Sequence, residues 1–258
     1  MDFVPHNSKR FIRLTRVTTL LAIGLVCLGL APTRGVAAER GGAGRSSGGA
    51  ARSVRLHVEN FANTGVPADV LKLAIGAITC AVNSGALEMP PTLTLIDYSK
   101  PSTEPRLWVF DLATGEMLFE ELVAHGKNTG ENMAQSFSDE MNSRQSSLGL
   151  FRTADTYSGG NGYSLRLDGL ESGVNSHARE RAIVMHGAPY VSEAFAAAQG
   201  RIGRSWGCPA LRTAIAAKVI DTIRGGGVVF SYYPDSNWLK TSRFLNGCGT
   251  APATLATR

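Results

Sequence analysis

A cysteine and a histidine, 22 residues apart, are the pair in this 258-residue chain best suited to nucleophilic chemistry. Cys208 lies in the segment SWGCPA over residues 205–210, and His186 precedes Gly187. A thiol attacks as the thiolate, which forms at neutral pH only beside a base or a positive charge. An imidazole can take the thiol proton and later return it to a leaving group. Taken singly, His186 also fits a structural residue at a strand end, and Cys208 fits half of a disulfide.

The residues around Cys208 are interpreted as a mount for the nucleophile. Leu211, Ile215, Val219 and Ile223 recur at four-residue intervals and Pro209 suits a first helical position, so the pattern predicts a helix over 209–224. Cys208 would then be the N-cap, where the helix dipole lowers the thiol pKa. Gly207 leaves the backbone open to substrate, and the amides near Cys208 would face a nascent oxyanion.

The elements that must position this pair are mainly β. Pro67 and the spacing of the apolar residues after it predict a helix that ends near Gly85. Apolar and alternating runs predict strands at 93–97, 106–111, 117–124, 148–153, 163–168, 182–186 and 227–232. The second and third of these form a predicted hairpin. The run from Leu107 to Phe110 has no polar face, which indicates a strand covered on both sides. The loop from Pro189 to Trp206 is the predicted wall or lid of the cleft.

The N-terminal segment predicts export. A basic start precedes an apolar run over 17–30 that is too short for a comfortable membrane span, and Val36-Ala37-Ala38 fits a signal-peptidase site. We therefore predict a signal peptide over 1–38, a flexible Gly/Ser/Arg linker over 39–55 and one catalytic domain over 56–258. The protein would lie in the periplasm or cell envelope with no integral membrane segment after cleavage. A retained anchor is the alternative.

Charge gives no reason to expect nucleic acid as a partner. The chain has 26 Lys and Arg against 21 Asp and Glu, and residues 1–38 contain 5 of the former and 1 of the latter. Subtraction leaves 21 against 20, so the exported protein would be nearly neutral. The high pI therefore reflects the predicted signal peptide.

At these residues the chain resembles the YkuD-like L,D-transpeptidase catalytic domain, and more closely its divergent murein L,D-transpeptidase branch. The family pattern is a His-Gly pair, a spacer and Ser/Thr-His-Gly-Cys, here HG at 186–187 and SWGC at 205–208. Looser similarity covers 148–151, 162–171 and 175–186. The resemblance implies an α+β fold, mainly a mixed β-sandwich with flanking helices. It also implies a Cys208 thioester on peptidoglycan stem peptides, resolved by an amine into a 3-3 cross-link, without metal or other cofactor.

Two alternatives share the same residues. Water as the acceptor would make the protein an L,D-carboxypeptidase, and a silent active site would leave a wall-binding module. The resemblance further implies that a backbone carbonyl or a small hydroxyl orients His186, and Ser205 is the matching position.

The candidate substrate-binding residues depart in part from the family pattern. Trp206 replaces the usual histidine, and the Arg expected two residues after the cysteine is missing. Arg204 and Arg212, with Arg201, are candidates to pair with a substrate carboxylate, or are surface residues. Trp206 either packs in the cleft wall or stacks on sugar. The remaining substrate-binding candidates are Gly187 and His125.

The other histidines and cysteines leave alternatives open. His125-Gly126 repeats the His-Gly pair, which is consistent with a cleft or a structural role, and His177 is interpreted as a scaffold or rim residue. The sequence has no close pair of ligand residues, such as Cys-x-x-Cys or His-x-x-x-His, that would indicate a metal site. Cys80 and Cys248 either form a disulfide or remain as a buried thiol and a free thiol in the C-terminal tail.

Overall fold

The computed structural model describes Leu56, Phe61 and residues 65–248. Within these residues, the centre of the fold is a mixed sheet of nine strands. The predicted signal peptide and linker lie outside the described residues. The strands are Thr92–Asp97 (β1), Leu107–Asp111 (β2), Met117–Glu121 (β3), Val123–Ala124 (β4), Gly149–Gly159 (β5), Gly162–Gly169 (β6), Val184–Ala188 (β7), Ala210–Arg212 (β8) and Val228–Tyr232 (β9). Their order is β3-β2-β1-β9-β5-β6-β7-β8-β4, so the mainly β prediction is confirmed.

Five helices flank the sheet. They are Ala68–Asn83 (α1), Glu193–Gln199 (α2), Thr213–Ile223 (α3), Ser236–Thr241 (α4) and Arg243–Asn246 (α5). In the part of the chain with assigned structure, none of them is both long and apolar enough to span a bilayer. Helix α1 confirms the predicted N-terminal helix, with Pro67 as its N-cap.

Strand β2 lies between two hydrophobic cores, as its unbroken apolar sequence predicts. Trp108 and Phe110 pack in the core beneath α1, while Leu107 and Val109 pack in the core beneath α3. Successive side chains of a strand point to opposite faces, so a strand with both faces covered needs apolar residues throughout. The predicted hairpin is also confirmed, because β2 and β3 pair antiparallel.

The predicted helix over 209–224 is wrong at its start. Residues Ala210–Arg212 form β8, which pairs parallel with β7, and α3 begins only at Thr213. Pro209 suits a first helical position locally, but the ladder to β7 satisfies the backbone of the next three residues in another way. Leu211 is buried on the strand instead of on the helix.

Two further boundaries differ from the prediction. Strand β7 begins at Val184 rather than at residue 182, because Ala182 adopts a left-handed conformation with φ 54°. The predicted loop over 189–206 contains the short helix α2, which Ser192 caps through its side chain. These differences bear directly on the site because β7 and the start of β8 carry it.

Candidate active site

Parallel pairing of β7 and β8 brings the two predicted catalytic residues to neighbouring positions. His186 is opposite Ala210 in the register, so Cys208, two residues earlier, lies beside the first part of β7. Two residues along a strand span about 7 Å, so Cys208 is displaced by about that distance from the position opposite His186. Within residues 65–248, no hydrogen bond joins Cys208 to His186 in this conformation.

The Cys208 sulfur lies against the backbone that leads into β7. Its thiol donates to the Ala182 carbonyl at 3.6 Å, and the Val184 amide donates to the sulfur at 3.5 Å. The residue is 8% exposed and is the free cysteine of the described chain. Ala182, whose carbonyl accepts from the thiol, has a left-handed conformation with φ 54°, and strained residues of this kind are frequent at functional sites.

Burial raises the pKa of the Cys208 thiol, against the sequence-based expectation of a lowered value. The helix dipole does not act as predicted, because α3 begins five residues after Cys208 and the dipole effect fades within one turn. Three groups oppose the rise: the Val184 amide, the positive charge of Arg181 and the amide of Cys208 itself. The resting residue is therefore a neutral thiol.

His186 is oriented by the backbone and not by Ser205. Its Nδ1 is 2.9 Å from the Gly187 carbonyl oxygen. Since a carbonyl can only accept, Nδ1 carries the proton and Nε2 keeps the lone pair needed to receive one. Burial lowers the pKa of His186, so the ring is neutral at neutral pH.

Ser205 instead stabilises the turn that presents Cys208. Its hydroxyl donates to the Cys208 carbonyl at 2.6 Å and accepts from the Gly207 amide at 3.0 Å. The Gly207 amide is thereby occupied, which leaves the Cys208 amide as the candidate oxyanion donor. Gly207 has φ 124°, and a Cβ there would lie 2.8 Å from the Gln145 carbonyl oxygen, so only glycine fits.

Sequence analysis missed a buried cation beside Cys208. The Arg181 side chain is 3% exposed, and one of its terminal nitrogens would be 3.5 Å from a Cβ placed on Gly207. It donates to the Gln145 carbonyl at 2.6 Å and to the Ser147 hydroxyl at 2.6 Å. Asp139 lies 3.8 Å away. The only sequence signal was an arginine directly before the apolar strand that ends at His186.

The three arginines that are candidates to hold a substrate carboxylate are already paired with carboxylates of the protein. Arg212 binds both oxygens of the buried Glu121 at 2.8 Å. Arg204 binds Glu131 at 2.7 Å and the Gly130 carbonyl at 2.9 Å, and Arg201 binds the same Glu131. Bidentate and shared pairs of this kind satisfy the guanidinium groups internally.

His125 and Gly187 lie where they support packing. His125 is 1% exposed, and its Nδ1 accepts from the buried Arg106 at 2.8 Å. Burial and the charge of Arg106 lower its pKa to about 4. A Cβ on Gly187 would lie 3.1 Å from the Ala216 Cβ, so this glycine lets α3 approach β7. His125 is thus part of the interior, while Gly187 is half-buried beside His186, and a substrate-binding role for either stays a prediction.

Trp206 projects outward, against the interpretation that it packs in the cleft wall. It is 71% exposed, and the Arg144 guanidinium lies 4.8 Å from the centre of its ring. The exposed indole is two residues from Cys208 along the chain and so forms part of the rim around the nucleophile.

A family model described as the L,D-transpeptidase catalytic domain matches residues 62–232, which is more than half of the chain. The chain belongs to this family. The mixed β-sheet with flanking helices agrees with the fold that the resemblance implies. A search of curated proteins found no match.

Several solved structures are similar at low identity. One is an L,D-transpeptidase in complex with imipenem, at 18% identity over 54% of this chain and 58% of that chain, with a TM-score of 0.34. An L,D-transpeptidase from Mycobacterium smegmatis shows 15% identity, 55% and 59% coverage and a TM-score of 0.36. An L,D-transpeptidase from Stackebrandtia nassauensis shows 15% identity, 64% and 65% coverage and a TM-score of 0.35. The chain thus spans less than two thirds of each of these proteins.

Proposed function

We propose that this protein is an exported, cysteine-dependent L,D-transpeptidase that forms 3-3 cross-links between peptidoglycan stem peptides. One observation carries the proposal: the free Cys208 thiol lies beside the strand that bears a neutral, backbone-oriented His186, within a domain of this family. A buried thiol and an imidazole with a free Nε2 are the minimum needed for acyl transfer.

Acylation begins when the thiol turns from the Ala182 carbonyl and gives its proton to Nε2 of His186. The thiolate attacks the carbonyl between the L-centre of the diamino acid and the terminal D-Ala. The Cys208 amide donates to the resulting oxyanion. When the C–N bond breaks, His186 returns the proton to the departing D-Ala amine, and a thioester remains.

Transfer reverses these proton movements. The side-chain amine of a second stem peptide attacks the thioester carbonyl while His186 takes a proton from the nitrogen. The C–S bond breaks and the proton passes to the sulfur, which restores the thiol. Attack by water instead would release a tripeptide, the outcome of an L,D-carboxypeptidase.

Mass analysis of muropeptides treated with the purified protein tests the proposal. We expect new 3-3 dimers with the wild type and none with Cys208→Ala or His186→Asn. His177→Asn is the matched control, because the His177 side chain is 53% exposed and pairs with Asp139. A carbapenem such as imipenem should add its mass to the wild type at Cys208 only.

The same spectra separate the alternatives. Shortened tripeptides without dimers would show that the protein hydrolyses the bond and does not transfer the acyl group to an amine. Unchanged muropeptides together with an unmodified Cys208 would leave a wall-binding module. Full turnover by His186→Asn would remove this residue from the role of base.

A further inference from the structure

We infer that Arg144, held over the exposed ring of Trp206, binds a carboxylate of the stem peptide beside the nucleophile. The inference rests on the proposed function, which requires a peptide to lie across Cys208. It names the residue that replaces the arginine missing two positions after the cysteine.

Charge pairing singles out Arg144 among the arginines near the site. Arg204 and Arg212 are bound to Glu131 and Glu121, and Arg181 is buried with its donors occupied. Arg144 is exposed, and across residues 65–248 its guanidinium has Trp206 as its single recorded partner. All of its N–H donors are therefore available to a ligand.

Backbone contacts fix the position of Arg144. The residue has φ 55°, a left-handed conformation that non-glycine residues adopt at a cost. Its carbonyl accepts from the Asn128 amide at 3.1 Å, and a Cβ on Gly126 would lie 2.4 Å from the same oxygen. The next residue, Gln145, is bound through its carbonyl to Arg181. A strained conformation held on both sides is a means of directing one side chain.

Stacking then restrains the side chain itself. The Arg144 guanidinium lies over the Trp206 ring at 4.8 Å, and within residues 65–248 no hydrogen bond or ion pair occupies its N–H groups. Trp206 and Cys208 are two residues apart, so their Cα atoms are at most about 7 Å apart. The indole and the guanidinium extend this separation further, so a carboxylate bound here would belong to the stem peptide that lies across Cys208, at the cleaved residue or elsewhere along it.

Lys127 is the competing cation. Its amide donates to the Ser205 carbonyl at 2.7 Å, and the residue lines a 440 Å³ groove. Its ammonium is a flexible point charge that no ring restrains, whereas Arg144 offers a planar fork that matches a carboxylate. The geometry therefore favours Arg144.

Calorimetric titration of the Cys208→Ala protein with synthetic stem tetrapeptides tests the inference without turnover. One peptide has free carboxylates, a second is amidated at the C-terminal D-Ala, and a third is amidated on the diamino acid side chain. We expect the free peptide to bind about tenfold more tightly than one of the amidated peptides. Adding Arg144→Gln should abolish that difference. The amidated peptide that binds more weakly to the Cys208→Ala protein identifies the carboxylate that Arg144 binds.

Matched variants make the test specific. Two variants should preserve the preference for the free peptide: Lys127→Gln, and Arg224→Gln, which removes an exposed arginine at the end of α3 that pairs with Asp221. The inference is overturned if no peptide is preferred, if the preference survives Arg144→Gln, or if Lys127→Gln abolishes it. Turnover by the wild type is measured separately. If the wild type is inactive but the peptides bind as expected, only the proposed transfer is refuted. If the wild type is active but the expected binding preference is absent, only the Arg144 site is refuted.

Discussion

The reactivity of Cys208 is decided by groups within a few ångströms of its sulfur. Burial raises the pKa of the thiol, while the Val184 amide and the charge of Arg181 act in the opposite direction. Since His186 is neutral and its Nδ1 proton is held by Gly187, its Nε2 is free to accept a proton, as the proposed role of base requires. The resting site is an uncharged thiol and imidazole, which in the proposed mechanism become ionic only when the thiol transfers its proton.

Replacing Arg181 should move the pH dependence of Cys208. A cation stabilises the thiolate, so its removal raises the thiol pKa further. We expect alkylation by iodoacetamide to rise with pH in the alkaline range, and Arg181→Gln to displace that rise to higher pH and slow the reaction at pH 7 several-fold. Arg181→Lys should recover part of the rate.

The control for this measurement is Arg179→Gln, which removes an exposed arginine two residues away that pairs with Asp168 and Asp155. Its pH profile should match that of the wild type. A lowered melting temperature for Arg181→Gln with an unmoved pH profile would mean that Arg181 is only structural.

At the scale of elements, the site depends on how closely α3 packs on β7. Gly187 makes this contact possible, because a Cβ there would lie 3.1 Å from the Ala216 Cβ and 3.3 Å from the Thr213 Cα. The same residue supplies the carbonyl that orients His186. Helix position and imidazole orientation are therefore linked through one glycine.

Gly187→Ala should lower the free energy of unfolding by about 1 to 3 kcal/mol, as overpacking usually does. Urea denaturation measures this loss, and acylation of Cys208 by imipenem should slow in the same variant. Ala216→Gly opens space for the new methyl group. The double variant should therefore lose less free energy of unfolding than the sum of the losses of the two single variants. Strict additivity would contradict the proposed contact.

At the scale of the whole molecule, a disulfide joins the first helix to the end of the described chain. Cys80 and Cys248 are bonded and are 168 residues apart, which resolves the alternative that the sequence left open. Closing so long a loop restricts the unfolded chain strongly. A protein with this bond fits an oxidising compartment, in agreement with the predicted export.

Loss of the disulfide should cost about 3 to 5 kcal/mol of unfolding free energy. Denaturation of Cys80→Ser/Cys248→Ser, compared with the wild type, measures the cost, and imipenem acylation of Cys208 should proceed at the wild-type rate. The double variant must not respond to added reductant. Equal stability of the oxidised wild type and the double variant would contradict the expectation.

Local patterns in the sequence determined the nucleophile and base candidates, the mainly β class, the first helix and the β2–β3 hairpin. Each depends on residues close together in the chain, such as the unbroken apolar run of β2 or the spacing in α1. The predicted helix start at Pro209 failed because its competitor, the ladder to β7, pairs residues that are 24 positions apart.

Only the tertiary structure decided which charged groups are free. Arg212 finds Glu121 across 91 residues and Arg204 finds Glu131 across 73, so no local spacing reveals that these arginines are occupied. The same holds for Arg181 beside the sulfur and for His125 in the interior. Residue type sets what chemistry a side chain can do, but burial and partners set its pKa and its availability, and both arise from contacts between distant parts of the chain.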